Sequence, residues 1–221
     1  AINLSTLMFF LPMLSLISKK KKICPDKANR LYEVYVQEMV NISLGQAIDI
    51  AWHKGLISPC KISEQEYLQM CAYKTGTLAR MAAKMACILA GADEKIVEKM
   101  GRFAESLGIA FQIQDDILDL VGEEFAKGKG GLGKDITEGK LTLMVIRTLQ
   151  NASPSDRERL IKILEAHTSD EQQRREAISI IKKYGSIEYA KKIAAKMVKD
   201  SWNEADKILP PSEAKEKLRK L

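Results

Sequence analysis

The sequence has few of the residues on which common catalytic and metal sites are built. It contains two histidines and four cysteines among 221 residues. The cysteines are not spaced as zinc ligands or as disulfide pairs, and we find no Ser-His or Cys-His arrangement. These absences argue against a zinc centre and a protein nucleophile, and they predict reduced thiols in a cytoplasmic protein.

Long hydrophobic runs are also missing. The longest one begins near residue 2, contains Pro12, lasts about 16 residues and ends at the four lysines 19–22. It is too short for a comfortable membrane span, and it lacks the small-residue cleavage site of a signal peptide. We therefore predict a buried core helix here and no membrane anchor.

Composition and charge define the class of protein. Aromatic residues make up 6%, and the six prolines lie at or between apolar, helix-like segments. This predicts an all-α fold, and without a shift in composition we expect residues 1–221 to form one helical domain. The net charge of +6 permits anionic partners. Because the basic residues are not interleaved with aromatics, we do not expect nucleic acid binding.

A polar stripe interrupts the apolar segment 103–121. Gln112, Asp115, Asp116 and Asp119 follow the spacing i, i+3, i+4 and i+7, which places them on one face of a helix. Three carboxylates within a buried helix need a neutralising partner. Oxygen ligands alone favour Mg²⁺ over zinc. A helix N-terminus or a solvated face would be the alternative, but the apolar pattern starts more than a turn earlier.

The helix that carries this stripe is predicted to run from Asp93 to Gly122. Apolar residues such as Phe111 lie on its other faces, so we expect it to be buried nearly all round. Three or four amphipathic helices are predicted between residues 153 and 221.

Two further polar groups precede this helix. Gln46, Asp49 and His53 form a second stripe, for which an exposed face is an equal alternative. A Lys-Thr-Gly sequence, 74–76, stands in the middle of another predicted helix, where Thr and Gly weaken helical structure. It predicts a kink that directs an ammonium and a hydroxyl at an anion; the alternative is a lysine that faces solvent.

A glycine-rich, lysine-rich loop follows the carboxylate stripe at residues 127–136. Backbone amides and ammonium groups in such a loop can hold phosphate oxygens, while a metal bridges others. The order of residues excludes a Walker loop.

Together these segments resemble the trans-isoprenyl diphosphate synthases, nearest to the short-chain farnesyl and geranylgeranyl diphosphate synthases. The resemblance is carried by five segments: 45–49, 74–76, 111–119, 133–136 and 139–142. It implies an isoprenoid synthase-type helical bundle around a central cavity, assembled as a homodimer. The implied reaction joins an allylic diphosphate to isopentenyl diphosphate with the help of Mg²⁺.

The resemblance also implies roles for particular residues. Asp115, Asp116 and Asp119 would bind Mg²⁺, and Thr75 and Gln112 would line the place where the allylic cation develops. Lys74 and Lys140 would contact the diphosphate directly. Either Lys129 or Lys134 would add a further contact.

The sequence departs from this family in one respect. The family's first aspartate-rich motif and its paired arginines are not present. We therefore expect the sequence to be part of a longer protein and to be incomplete for activity by itself. The alternatives are a non-catalytic subunit of a heteromeric synthase, a terpene cyclase of the same fold, and a helical scaffold without activity.

Overall fold

The structure, a computed structural model, describes residues 2–19, 22–122 and 131–220. Within these ranges it contains helices and loops but no strand, which confirms the predicted all-α fold. The α-helices are α1 (Ile2–Lys19), α2 (Pro25–His53), α3 (Glu64–Cys71), α4 (Thr77–Ala90), α5 (Glu94–Val121), α6 (Lys134–Thr137), α7 (Leu143–Asn151), α8 (Pro154–Glu165), α9 (Glu171–Lys183), α10 (Ser186–Asp206) and α11 (Glu213–Arg219).

Helix α5 is the central element. Its 28 residues extend about 42 Å at 1.5 Å per residue. The Asp93 carboxylate caps the N-terminus by accepting the N–H of Ile96 at 2.9 Å, and Gly122 follows the last turn. The predicted bounds are therefore confirmed. Helices α4 and α10 pack along α5 on different sides, and Phe103 meets the Trp202 ring edge-on with 5.5 Å between centroids.

One face of α5 is open, contrary to the prediction. Ile113 and Ile117 are buried in the main core, whereas Phe111 is 71% exposed. Periodicity showed an apolar residue at 111 but could not show what covers it. No element of the described ranges buries its ring.

Helices α3 and α4 form one continuous rod joined by a π-helical segment, Ala72–Gly76. Its N-terminus carries a capping box, in which Ser63 and Glu66 bond each other's backbone N–H. The π segment contains Lys74 and Thr75, so the predicted irregularity in this helix is confirmed. A π turn contains one residue more than an α turn, so it widens the helix locally and changes the direction of its side chains.

Three glycines let the backbones around this segment touch. A Cβ on Gly45 of α2 would lie 2.4 Å from the backbone nitrogen of Lys74, and one on Gly108 of α5 would lie 2.7 Å from Cα of Gly76. Both distances are far below ordinary van der Waals contact. The absence of side chains at Gly45 and Gly108 therefore sets how closely α2 and α5 approach the π segment.

Helix α1 is formed as predicted but is not buried. Phe9, Phe10 and Leu14 are exposed, and the helix contacts the rest of the described chain mainly through one face. There the Tyr35 hydroxyl donates to the backbone oxygen of Phe9. The prediction of a core helix was wrong because apolar composition shows that a surface favours burial, not which part of the described chain covers it.

The C-terminal part consists of α8 to α11, in agreement with the predicted amphipathic helices. All four cysteines are free thiols. Among the described residues, no helix combines the length and the apolar character needed to cross a membrane.

Candidate active site

Asp116 is the most enclosed carboxylate of the predicted stripe. It is 4% exposed. Its Oδ2 accepts the Tyr67 hydroxyl at 2.7 Å, and its Oδ1 accepts the Gln112 amide at 2.8 Å. Burial and then the charge of Asp135 raise the pKa of Asp116 to about 7, although both hydrogen bonds act in the opposite direction. A carboxylate in this position gains from a nearby cation.

The π segment joins the same network. The Thr75 hydroxyl donates to Oε1 of Gln112 at 2.8 Å, and the Gln112 amide continues to Asp116. The Lys-Thr-Gly sequence therefore places its hydroxyl beside the aspartate stripe, where it bonds the neutral Gln112 carboxamide and not an anion.

Asp119 holds the start of α6. Its two carboxylate oxygens accept the backbone N–H groups of Lys134 at 3.1 Å and Asp135 at 3.0 Å. Burial and the charge of Asp135 raise the pKa of Asp119 to about 6, and the two backbone donors lower it. Burial raises the pKa of Asp135, and the charges of Glu138 and the half-buried Asp115 add to this rise. Four aspartates are thus grouped where α5 meets the start of α6.

Lys140 lies against this group from the other side. Its ammonium is 2.5 Å from Oδ1 of Asp135 and 3.0 Å from Oε2 of Glu138. Burial lowers the pKa of Lys140, but the two carboxylates outweigh burial and hold it above the ordinary lysine value. Gly139, with φ of 71°, forms the tight turn between the two acidic residues and Lys140.

Lys74 is paired in the same way with Asp49. Its Nζ is 2.6 Å from Oδ2 of Asp49, which is buried. Of the second predicted stripe, Asp49 therefore faces the site, whereas Gln46 is exposed. The Nδ1 atom of His53 is buried without a hydrogen-bond partner in the described chain.

One small cavity unites these groups. It has a volume of about 20 Å³, enough for one water molecule, and Lys74, Gln112, Asp116 and Lys140 line it together. The four come from the π segment, α5 and the loop before α7. The structure thus brings together residues that the sequence separates by 66 positions (140 minus 74).

Two predicted lysines are placed differently. The Lys134 side chain is 57% exposed and lies 3.7 Å from Glu138, while its backbone N–H serves Asp119. Lys129 and the first part of the glycine-rich loop lie outside the described residues.

The donor set suits a hard divalent cation. Among the described residues, no three His, Cys, Asp or Glu side chains converge into a complete metal centre. However, an ionised carboxylate offers about four lone pairs. Tyr67 and Gln112 use two of those on Asp116, so two stay available for a cation. Oxygen donors and clustered negative charge fit Mg²⁺.

Sequence reasoning missed three residues of this site: Tyr67, Asp135 and Glu138. The sequence pattern gave Tyr67 no role in the site. Asp135 and Glu138 both precede the predicted Lys140 within five residues, and this closeness in sequence was a signal that could have indicated an ion pair.

With the geometry in hand, comparisons with known proteins decide the family. A protein-family profile described as "Polyprenyl synthetase" matches residues 1–181. The chain belongs to the polyprenyl synthetase family. The predicted resemblance is therefore confirmed, and polyprenyl synthetases are metal-dependent.

Two curated members of the polyprenyl synthetase family share between 33% and 40% of their aligned residues with the chain. The "Short chain isoprenyl diphosphate synthase" of Methanothermobacter thermautotrophicus is 40% identical over 185 residues, which are 84% of this chain and 54% of that protein. The "Geranylgeranyl diphosphate synthase" of Sulfolobus acidocaldarius is 33% identical over 184 residues, 83% of this chain and 54% of that one. The chain thus spans about half the length of the curated relatives it matches.

A solved polyprenyl synthetase structure confirms the isoprenoid synthase-type fold. The crystal structure of geranylgeranyl pyrophosphate synthetase from Pyrococcus horikoshii superimposes with a TM-score of 0.78 at 36% identity. The match covers 89% of this chain and 57% of that one.

Proposed function

We propose that the chain carries part of the active site of a short-chain trans-prenyl diphosphate synthase, which condenses an allylic diphosphate with isopentenyl diphosphate and releases diphosphate. One observation carries the proposal: two lysines, Lys74 and Lys140, meet Gln112 and the carboxylate Asp116 around one cavity. Clustered carboxylates beside paired ammonium groups form a site for a phosphorylated substrate held by both a metal and lysines.

The lysines are the direct phosphate ligands in this proposal. Each is now held by a carboxylate, Lys74 by Asp49 and Lys140 by Asp135. A diphosphate presents more charge and more acceptor oxygens than one carboxylate, so it can exchange with these partners. Because the cavity is about 20 Å³, binding also requires the side chains to move apart. Lys129 or Lys134 supplies the further contact.

Asp115, Asp116 and Asp119 are the proposed Mg²⁺ ligands. A Mg²⁺ ion held by these carboxylates would supply Lewis-acid stabilisation of the negative charge on the diphosphate leaving group. Asp116 and Asp119 are already fixed by hydrogen bonds to both carboxylate oxygens. This preorganisation lowers the cost of arranging the ligands.

The dipoles of Thr75 and Gln112 stabilise the developing allylic cation. The Thr75 hydroxyl oxygen and the Gln112 carboxamide oxygen lie 2.8 Å apart. Thr75 follows Lys74 in the chain, and the Gln112 amide bonds Asp116. The electron pair of the broken bond leaves with diphosphate, and the double bond of isopentenyl diphosphate attacks the allylic carbon. One proton is then lost to the departing diphosphate, which completes the balance.

The proposal extends to the assembly and location of the protein. Residues 1–221 would belong to one helical synthase domain, supported by a main core cluster of described residues that extends from Trp52 to Ala190. Apolar side chains exposed on α1 and α2 support a homodimer. A cytoplasmic location agrees with the free thiols. The relatives, named as synthases, do not favour a non-catalytic subunit or a cyclase.

The test is the stabilisation of the chain by inorganic diphosphate with and without Mg²⁺. At a ligand concentration of ten times Kd, binding adds about 1.4 kcal/mol to the free energy of unfolding. We expect this increase only when both are present, and a marked loss of it in Lys74→Met. Lys182→Met, on the exposed face of α9, is the control and should behave as wild type.

Elongation is then measured by transfer of labelled isopentenyl diphosphate to geranyl or farnesyl diphosphate. Stabilisation that needs no Mg²⁺, or that Lys74→Met retains in full, would contradict the proposed site. Tight Mg²⁺-diphosphate binding without any labelled product would restrict the chain to substrate binding.

A further inference from the structure

Tyr67 is the buried donor that the proposed mechanism leaves without a role. It lies on α3, is 1% exposed, and its hydroxyl donates to Asp116 Oδ2 at 2.7 Å. The hydroxyl is the donor of this bond and the carboxylate oxygen of Asp116 is the acceptor.

Three buried aspartates of the site are held in two different ways. Asp49 and Asp135 each face a lysine at 2.6 and 2.5 Å. Asp116 instead has two uncharged donors, the Tyr67 hydroxyl and the Gln112 amide. Uncharged donors fix the orientation of a carboxylate, and among the described residues no lysine or arginine forms a direct ion pair with Asp116. Asp116 is therefore kept for a cation that comes from outside the chain.

The two donors also define the plane of the carboxylate. Each carboxylate oxygen of Asp116 accepts one hydrogen bond, Oδ2 from Tyr67 on α3 and Oδ1 from Gln112 on α5. Rotation of the carboxylate would break both bonds in a buried environment, where an unpaired polar atom is costly. The lone pairs of the Asp116 carboxylate that accept no hydrogen bond are therefore held in a fixed direction, in which they can bind a cation.

We propose that Tyr67 is a positioning residue that orients Asp116 for the divalent cation. This inference rests on the proposed function, in which Asp116 is a metal ligand. Partners that orient metal ligands commonly change metal affinity by about 10- to 100-fold when they are removed. Tyr67 would act on the metal through Asp116 and not touch the substrate.

The experiment uses Mn²⁺ as the probe, because free Mn²⁺ can be counted by electron paramagnetic resonance. The purified chain is titrated with Mn²⁺ in the presence of inorganic diphosphate. We expect Tyr67→Phe, which keeps the ring and removes only the hydroxyl, to weaken Mn²⁺ binding about tenfold or more. Tyr189→Phe is the matched control, since its hydroxyl also bonds a carboxylate, that of Glu64, at 2.5 Å.

A double-variant cycle separates positioning from a structural effect. In an Asp116→Asn background, Tyr67→Phe should no longer change Mn²⁺ affinity, because the ligand it orients is gone. The unfolding midpoint of each variant shows whether the compared proteins are folded. If Tyr67→Phe unfolds, Asp116→Asn still tests the metal ligand in a protein that retains the Tyr67 side chain.

The possible results separate the two proposals. Equal Mn²⁺ affinity of wild type and Tyr67→Phe would overturn the role of Tyr67 and leave the metal site intact. An equal loss in Tyr67→Phe and Tyr189→Phe would overturn it as well, because the effect would not be specific. A wild type that binds no Mn²⁺ with diphosphate would overturn the proposed metal site and this inference with it.

Discussion

Replacement of Gly108 by alanine tests how closely the backbones must approach at the site. The new Cβ would lie 2.7 Å from Cα of Gly76 and 3.2 Å from the carbonyl oxygen of Thr75. These atoms are backbone and cannot turn away, so α5 and the π segment must separate by nearly 1 Å. That shift would also stretch the 2.8 Å bond between Thr75 and Gln112.

The magnitude follows from two opposing terms. Overpacking of this kind costs about 1–3 kcal/mol, while alanine gains about 1 kcal/mol over glycine in a helix. We expect a net loss of about 0–2 kcal/mol, which lowers Tm by up to about 8 °C for a chain of this size. Diphosphate binding in the presence of Mg²⁺ should weaken in parallel.

Gly101→Ala is a control on the same helix. Its Cβ would also lie 2.7 Å from the nearest atom, but that atom is Cε of the flexible Lys84 side chain. Lys84 can move at the cost of its partly exposed ion pair with Glu98, worth about 0–1 kcal/mol. Urea unfolding should therefore find Gly101→Ala equal to wild type or slightly more stable. A Gly108→Ala variant that is as stable as Gly101→Ala would refute the reasoning.

Further predictions concern the buried Arg80–Glu38 ion pair and the two faces of α5. Arg80→Met should destabilise the protein by about 3–5 kcal/mol in urea unfolding, because it leaves the buried carboxylate of Glu38, 2.5 Å from Arg80, unpaired. Burial raises the pKa of Glu38, but the bonds from Arg80 and Asn41 outweigh it and hold that pKa below its ordinary value. The ion pair therefore contributes its full stability above the pKa of an unfolded glutamate, and this contribution is lost as the pH falls through the lower pKa of folded Glu38. Arg80→Met, which lacks the ion pair, should lose less stability in acid than wild type does. An acid profile equal to that of wild type would contradict this. Ile113→Ala, at 0% exposed, should cost about 2–5 kcal/mol, whereas Phe111→Ala on the open face should change stability by about 0.5 kcal/mol or less; similar losses in both would show that Phe111 is covered in solution.

Features encoded within a few residues were predictable from sequence. The Asp93 cap, the i, i+3, i+4, i+7 stripe and the weak helical character of residues 74–76 all depend on local spacing, and the structure shows each. The bond between Tyr67 and Asp116 joins residues 49 positions apart, and that between Asp49 and Lys74 joins residues 25 apart. Such pairings depend on how helices pack, which periodicity does not specify.

The wrong predictions share one physical cause. Apolar residues in α1 and Phe111 were assigned to the interior because burial of apolar surface is favourable. Burial also needs a partner surface, and a single sequence does not state where that partner is. Sequence alone also left open whether Lys129 or Lys134 of the glycine-rich loop contacts the diphosphate, because glycine permits many backbone paths.

The π segment has a consequence for changes in chain length. A π turn covers about the same rotation as an α turn but contains one residue more, so residues 72–76 hold one residue beyond what a regular α-helix needs. Deleting one residue there would let the rod continue as α-helix with α3 and α4 in nearly their present orientation, so Tyr67 would stay at Asp116 and Arg80 at Glu105. A deletion within α3 or α4 would instead rotate the two ends of the rod by about 100° relative to each other. In a deletion scan along the rod, changes within 72–76 should therefore preserve the fold but displace Lys74 and Thr75 from the site.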